Sequence, residues 1–172
     1  SYQNSPEAVT IDLTNFNFAG AIVGQGGDAE GDTYENVEAF IGSAFDDTFV
    51  SDGNATLFIG GLGNDTYVHS GGMTHIIDSE GDNILVLTEE FLNKSAVLDR
   101  ISIDFGDGNV VYTNNFTNFS DIVYQDQFTG QILDTKTSDE FITDNGGFVD
   151  EPPVVIGEGR NVNIRMQTID LK

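Results

Sequence analysis

The chain has 172 residues and a hydrophobic content of 38%, enough for one packed domain or two small ones. Its 29 acidic and 6 basic residues give a formal net charge of −23. Such acidity argues against nucleic-acid binding, which requires a basic face, and against adsorption to an anionic membrane. Thirteen Phe and five Tyr argue against disorder, so the charge favours cation binding.

Cysteine is absent, which excludes disulfides and thiolate metal sites. No apolar run reaches the length of a membrane span. The first residues, SYQNSPEAV, resemble neither a signal peptide nor a start methionine. We therefore expect the chain to be a fragment or a processed piece of a larger protein.

A nine-residue repeat dominates the first half of the chain. A bulky apolar residue recurs at every ninth position, and a β-branched residue follows each one. The apolar positions are Phe40, Phe49, Phe58, Tyr67, Ile76 and Leu85, and the β-branched positions are Ile41, Val50, Ile59, Val68, Ile77 and Val86. Two adjacent six-step ladders are improbable by chance, so a repeat architecture is predicted.

A unit of nine residues fits a six-residue turn followed by a three-residue strand. Such units coil into a parallel β-roll, in which successive units join opposite sheets and units on the same edge are eighteen residues apart. The ladder from Phe40 to Leu85 is predicted to point inward between the sheets. The β-branched ladder would support extended geometry and be partly covered by a flanking segment.

Residues 60–68, GGLGNDTYV, fit the pattern G-G-x-G-x-D-x-U-x of calcium-binding nonapeptide repeats. The chain therefore resembles the repeats-in-toxin (RTX), or hemolysin-type, family of secreted bacterial proteins. The resemblance covers about residues 8–88, including a lead-in segment at 26–50, and only one repeat is complete. It implies a calcium-binding β-roll.

The sixth position of each unit differs between the two edges of the predicted roll. One edge carries Asp47, Asp65 and Asn83, whereas the other carries Glu38, Thr56 and Thr74. Calcium prefers six to eight oxygen ligands from carboxylates and carbonyls. The parity of the repeat therefore predicts calcium on one edge only, or mainly.

The resemblance implies one ion between turns 42–47 and 60–65. Its ligands would be the carboxylates and the glycine carbonyls of Asp47, Asp65, Gly42, Gly60, Gly61 and Gly63. A second ion would lie between turns 60–65 and 78–83, where Asp78 replaces the first glycine, Asn83 replaces the aspartate, and Asp78 or Asp82 compensates. A third site would involve Asp28 and Asp32, where the nine-residue register is broken.

Charge repulsion between stacked turns predicts a folding mechanism. Carboxylates about 5 Å apart repel by about 3 kcal/mol at an effective dielectric of about 20. Three-residue strands bury little apolar surface to offset this repulsion, so the repeat block is expected to be largely unfolded without calcium and to fold on binding it. Extracellular calcium modules bind at about 10⁻⁴ to 10⁻³ M, which predicts a secreted or cell-surface location.

The nine-residue ladder stops after residue 88, and residues 89–172 are predicted to form a mainly antiparallel β segment that caps the roll. Residues 88–98 read as a short helix with Thr88 as its N-cap. Alternating apolar runs follow at 101–105, 109–113, 121–125, 131–135 and 162–166, with hairpin turns at 104–109 and 128–131. Residues 150–160 read as a linker, and the last residues as part of a type I export signal.

Other candidate sites have plainer structural explanations. His69 and His75 are predicted to lie in exposed turns, with a zinc pair as the alternative. Asp104, Asp107 and Asn109 suggest either a calcium loop or an Asp/Gly turn. The aromatic residues that suggest either a sugar-binding platform or core packing are Phe116, Phe119, Tyr124 and Phe128. No motif of a serine hydrolase, a nucleotide-binding loop or a zinc protease is present, so no enzyme activity is predicted.

The first functional hypothesis is therefore a calcium-binding structural module of a larger secreted or cell-surface bacterial protein, exported by type I secretion machinery and folded outside the cell. The second is an interaction module of an adhesin or surface layer, which binds a glycan or another copy of itself. The third is the non-catalytic tail of a secreted hydrolase or epimerase.

Overall fold

A computed structural model describes residues 1–15, 21–91, 94, 96–99, 102–114, 116–126 and 128–148 of the chain. These residues form a mainly β structure, as the sequence predicts. The predicted linker at 150–160, the predicted strand at 162–166 and the C-terminal segment lie outside the described residues.

Fourteen strands, one α-helix and three short 3₁₀ turns make up the described part of the chain. In chain order the strands are β1 (Thr10–Asp12), β2 (Ile22–Val23), β3 (Thr33–Tyr34), β4 (Ala39–Ile41), β5 (Thr48–Val50), β6 (Thr56–Ile59), β7 (Thr66–His69), β8 (Met73–Ile77), β9 (Asn83–Thr88), β10 (Val97–Asp99), β11 (Ser102–Asp104), β12 (Val110–Thr113), β13 (Phe119–Gln125) and β14 (Ile132–Thr137). Helix α1 (Ser138–Asp144) begins at a capping box formed by Thr137 and Glu140.

The strands form two mixed six-stranded sheets and a small hairpin of β2 and β3. Sheet one has the order β1-β5-β7-β9-β13-β14, and sheet two has the order β10-β11-β12-β8-β6-β4. From β4 to β9, successive strands alternate between the two sheets, and neighbours within a sheet pair in parallel. This alternation is what the nine-residue repeat predicts.

The apolar ladder lies in the interior, as predicted. Phe49, Tyr67 and Leu85 are register partners in sheet one, and Phe40, Phe58 and Ile76 are register partners in sheet two. None of the six side chains is more than 3% exposed. Burying each contributes about 1.5 to 3 kcal/mol, so these two columns form the main core of the repeat block.

The β-branched ladder faces outward, with different coverage on the two sheets. On sheet one, Val86 is buried, with an exposed fraction of 7%. On sheet two, the equivalent Ile77 is 46% exposed. The remaining four residues are all half-buried, Val50 and Val68 on sheet one and Ile41 and Ile59 on sheet two. The expected partial cover is therefore present, and the two sheets differ only at the end of each row.

The second half of the chain extends both sheets. β12 pairs in parallel with β8, and β13 pairs in parallel with β9, whereas β10–β11, β11–β12 and β13–β14 pair antiparallel. The hairpins at 104–109 and 128–131 are confirmed by these antiparallel pairs. Buried residues of both halves belong to one hydrophobic core, so the cap continues the repeat block across the boundary at residue 88.

The helix predicted over 88–98 is wrong. Thr88 is the last residue of β9, Glu89–Phe91 form a single 3₁₀ turn, and Val97 begins β10. β9 continues because Leu85 and Leu87 point into the core on alternate positions, a period-2 pattern that favours a strand. No helix in the described part of the chain combines the length and the apolar character needed to cross a membrane.

Candidate metal centre

Three stacked turns form the edge at which the sequence predicts calcium. We name residues 42–47 the first turn, 60–65 the second turn and 78–83 the third turn. The gap between the first and second turns is position one, and the gap between the second and third turns is position two. Each turn precedes a strand of sheet one, so parallel pairing of β5, β7 and β9 places the turns in register.

The sixth residues of the turns form a buried ladder. Asp47, Asp65 and Asn83 are at most 1% exposed. Asp65 Oδ1 accepts the backbone N–H of Asp47 at 2.8 Å, and Asn83 Oδ1 accepts the backbone N–H of Asp65 at 2.7 Å. Asn83 Nδ2 donates to the carbonyl of Glu80, so both polar atoms of Asn83 are engaged by protein groups. Asn83 is therefore the last residue in this row of hydrogen-bonded side chains.

The fifth residues form a second, exposed ladder on the outside of the edge. The backbone N–H of Asn64 donates to Asp46 Oδ1 at 2.7 Å, and the backbone N–H of Asp82 donates to Asn64 Oδ1 at 2.8 Å. Asp82 is exposed, so the structure places it on the outer ladder, away from the buried carboxylates.

Glycines allow the turns to stack at close range. An added Cβ at Gly63 would lie 2.7 Å from the carbonyl oxygen of Phe45, and one at Gly81 would collide with the carbonyl oxygen of Gly63. Both glycines have positive φ, of 106° and 83°. The carbonyl of Gly63 therefore points along the stack toward the next turn, as a carbonyl ligand of an ion between turns requires.

Position one is formed around Gly42. Asp47 Oδ2 and the carbonyl of Gly60 both approach the point where a Cβ on Gly42 would lie. Asp47 is already well satisfied by protein donors. Ser43 donates its backbone N–H to Oδ2 at 2.5 Å and its hydroxyl to Oδ1 at 2.8 Å, and the N–H of Val9 donates to Oδ1 at 2.7 Å.

Position two is formed around Gly60. An added Cβ at Gly60 would collide with Asp65 Oδ2, Asp78 Oδ2 and the hydroxyl of Tyr67. The hydroxyl of Tyr67 donates to Asp78 Oδ2 at 2.6 Å. Asp65 Oδ2 is buried and has no hydrogen-bond partner among the described residues. Three oxygens thus converge on a cradle that exists because residue 60 has no side chain.

The electrostatics of position two favour a cation. Burial is the largest of the effects that together raise the pKa of Asp65 to about 7; the hydrogen bond from the Asp47 N–H lowers it, and the nearby carboxylates of Asp78 and Asp47 add to the rise. Burial, with Asp78 next, also raises the pKa of Tyr67. Two ionised carboxylates in one buried cradle repel each other because both are negatively charged. Neither can donate a hydrogen bond to the other that would offset this repulsion. The residues at this position therefore fit a calcium ion.

The oxygens that converge are one carboxylate and one carbonyl at position one, and two carboxylates and a hydroxyl at position two. No group of three or more His, Cys, Asp or Glu side chains in the described ranges has an arrangement that could hold a metal ion. A site on this edge would therefore depend on backbone carbonyls for most of its six to eight ligands.

The proposed third site is not part of this edge. Asp28 and Asp32 are both exposed. The backbone N–H of Asp28 donates to Ser5 Oγ, and Asp32 Oδ2 accepts the hydroxyl of Tyr2 at 2.9 Å. Asp32 therefore serves a tyrosine contact at the N-terminal end, and nothing in the geometry places a cation between the two carboxylates.

The opposite edge contains a residue whose role the sequence did not reveal. His69 was predicted to lie in an exposed turn, but it is fully buried at the end of β7. Its Nδ1 hydrogen-bonds with Thr74 Oγ1 at 2.9 Å, and its ring lies 5.1 Å from Phe91 and 6.2 Å from Phe105. Its Nε2 has no hydrogen-bond partner in the ranges that the structure describes. The prediction fails because the cap residues Phe91 and Phe105, distant in sequence, cover the turn.

Burial lowers the pKa of His69 to about 4, below its ordinary value of 6.5. The unfolded chain therefore binds a proton that the folded chain does not between pH 6.5 and 4, and stability is lost as the pH falls through this window. We expect the loss to reach about 3 kcal/mol at pH 4 from this group. Urea unfolding at pH 7 and pH 4 should show this loss of unfolding free energy in the wild type. In His69→Phe the loss between the two pH values should be smaller by the contribution of His69.

The exposed turn predicted for His75 is also wrong, because His75 is half-buried within β8 and stacks on Tyr112 at 4.7 Å on the outer face of sheet two. This place outside the core makes His75 the matched control for the pH prediction. His75→Phe should retain the wild-type difference in unfolding free energy between the two pH values. An equal difference in all three proteins would contradict the assignment.

The remaining candidates of the second half have structural roles. Phe116, Phe119 and Tyr124 are buried, which confirms core packing for these three residues. Core packing is wrong for Phe128, which is 84% exposed because it lies on the hairpin turn. Asp104 Oδ1 accepts the backbone N–H of Gly106, and the loop forms the hairpin turn between β11 and β12.

Comparison with protein-family models, with curated proteins and with solved structures finds no match to this chain.

Proposed function

We propose that the chain is a calcium-binding structural module, a parallel β-roll of the RTX type, from a larger secreted or cell-surface bacterial protein. The observation that carries this proposal is the unpartnered, buried Asp65 Oδ2, which shares the Gly60 cradle with Asp78 Oδ2. A buried carboxylate oxygen without a donor is unfavourable unless a cation or a proton compensates it.

Three further features support this function. Strands eighteen residues apart pair in parallel, the turns before sheet one carry the carboxylates, and the carbonyls of those turns point at the next turn. The opposite edge has Thr56 and Thr74 at the corresponding buried positions. A cation on the acidic edge would supply the positive charge that the stacked carboxylates lack.

The biological role we propose is folding that depends on the outside environment. Ion binding adds its free energy to folding, so the chain would be weakly folded where calcium is scarce and stable where it is at millimolar concentration. Export in an unfolded state through type I secretion machinery would suit such a chain. We propose no catalytic role, since the buried carboxylates serve the turn ladder and the cation.

Calcium titration of the whole chain tests this function. Far-ultraviolet circular dichroism and the thermal midpoint should both rise with calcium between about 0.1 and 10 mM. Excess chelator should reverse the change, and equal magnesium should give a much smaller one, because Mg²⁺ demands stricter octahedral geometry. A spectrum and a midpoint that are indifferent to calcium and chelator would overturn the proposal.

A further inference from the structure

Resting on the proposed function, we infer that position two is the stronger calcium position of the edge, and that Tyr67 is its positioning residue. In this chain only the second turn belongs to a complete repeat of the family pattern. Because the second turn borders both positions, the pattern does not rank one position above the other. The difference arises from residues at which this chain departs from the pattern.

The two positions are built from corresponding parts, so the chain contains its own comparison. The carboxylates Asp47 and Asp65 correspond, and so do the rings of Phe49 and Tyr67, which stack at 5.4 Å with an interplanar angle of 9°. Of the two turns that enclose each position, the later one in the chain begins with Gly60 at position one and with Asp78 at position two. Position two therefore gains a hydroxyl and a carboxylate.

At position one the carboxylate of Asp47 accepts three hydrogen bonds, from Ser43 N–H, Ser43 Oγ and Val9 N–H. These donors stabilise the ionised carboxylate without a metal and occupy part of its ligand capacity. Calcium binding there would add less, because the charge is already compensated by protein dipoles.

At position two Asp65 Oδ1 is occupied by the N–H of Asp47, but Oδ2 has no donor within the described part of the chain. The second carboxylate, Asp78, adds a negative charge that position one lacks. The Coulomb attraction for a divalent cation is therefore greater at position two. Asp65 directs its free oxygen to this position, so it serves position two rather than both positions equally.

Several contacts fix the carboxylate of Asp78 in this cradle. The Tyr67 hydroxyl donates to Oδ2, and the N–H of Glu80 donates to Oδ1 at 3.2 Å. The cap holds the backbone of Asp78, because Asn114 Oδ1 accepts its N–H at 2.9 Å and Asn118 Nδ2 donates to its carbonyl at 2.9 Å. Tyr67 thus acts through Asp78, and the second half of the chain helps to position the ligand.

Terbium luminescence provides a direct readout of Tyr67. The chain has no Trp, so tyrosine is the available sensitiser, and the Tyr67 ring borders position two. Tb³⁺ bound to the wild type should emit on excitation of tyrosine. Tyr67→Phe should lose most of this emission, whereas Tyr112→Phe, on the outer face of sheet two, should retain it. Phe49 is fully buried in the same column of the core, so a Phe ring in Tyr67→Phe should pack there as well.

Calorimetric titration with calcium separates the two positions. Tyr67→Phe should weaken the tighter site about tenfold, as losing an outer-shell contact commonly does. Asp78→Gly, which restores the family pattern, should weaken it roughly a hundredfold, because it removes a buried ligand charge. Asp47→Asn should weaken the tighter site much less than Asp78→Gly does, because Asp78 and not Asp47 lies in the Gly60 cradle. Asp46→Asn, on the exposed outer ladder, should leave the tighter site within about threefold of the wild-type affinity.

The outcomes distinguish this inference from the proposed function. If wild-type protein binds calcium, but Asp47→Asn weakens the tighter site as much as Asp78→Gly does, the ranking of the two positions is wrong. If Tyr67→Phe retains both the terbium emission and the calcium affinity, Tyr67 is not a positioning residue. If the wild type binds neither calcium nor Tb³⁺ at millimolar concentration, the proposed function itself fails.

Discussion

Asp65→Ala is expected to remove most of the calcium dependence of folding. The substitution removes the unpartnered Oδ2 from the Gly60 cradle and leaves Asp78 as the only carboxylate there. A ligand present at a hundred times its dissociation constant stabilises a fold by about 2.7 kcal/mol, and most of this contribution would disappear. The variant also loses the acceptor of the buried Asp47 N–H, which costs about 1 to 3 kcal/mol more.

Asp65→Asn separates these two effects, because an amide oxygen can still accept the Asp47 N–H as Asn83 does one turn later. We expect it to retain most of the calcium-free stability and to lose most of the calcium response. Asp46→Ala, on the exposed outer ladder, should change neither by much. Denaturant unfolding with and without calcium measures all three, and a full calcium response in Asp65→Ala would refute the assignment.

Gly81→Ala is expected to destabilise the protein by about 3 kcal/mol, even in saturating calcium. Gly81 has a φ of +83°, and an added Cβ would collide with the backbone carbonyl of Gly63 in the turn below. Positive φ costs an Ala residue about 1 to 2 kcal/mol, and overpacking against rigid backbone adds about 1 to 3 kcal/mol. Neither the φ angle of residue 81 nor the carbonyl of Gly63 can shift without separating the second and third turns.

Gly53→Ala is the matched control, because Gly53 has nearly the same φ of +87° but open space where the added Cβ would lie. It should show the backbone contribution alone, about 1 to 2 kcal/mol. The difference between the two variants in urea unfolding then measures the contact between stacked turns. Equal destabilisation by both variants would mean that the turns are not packed as closely as the structure indicates.

The sequence by itself determined the interior columns and the chemistry of the two edges. A strict nine-residue period places equivalent residues on the same face of successive coils, so Phe49, Tyr67 and Leu85 share a column. The same period places Asp47 and Asp65 on one edge. Such features follow from chain geometry alone, and they could be predicted without knowledge of any distant contact.

The tertiary structure decided which atoms face each cradle and what the second half does. Asp78 was recognisable only as an acidic residue at a glycine position. Its pairing with Tyr67, eleven residues earlier, and its support by Asn114 depend on how the coils and the cap pack. His69 was misplaced for the same reason, because Phe91 and Phe105 bury it from the cap. A repeat period describes contacts between equivalent positions, whereas contacts between the repeat block and the cap have no period, so only the folded chain could reveal them.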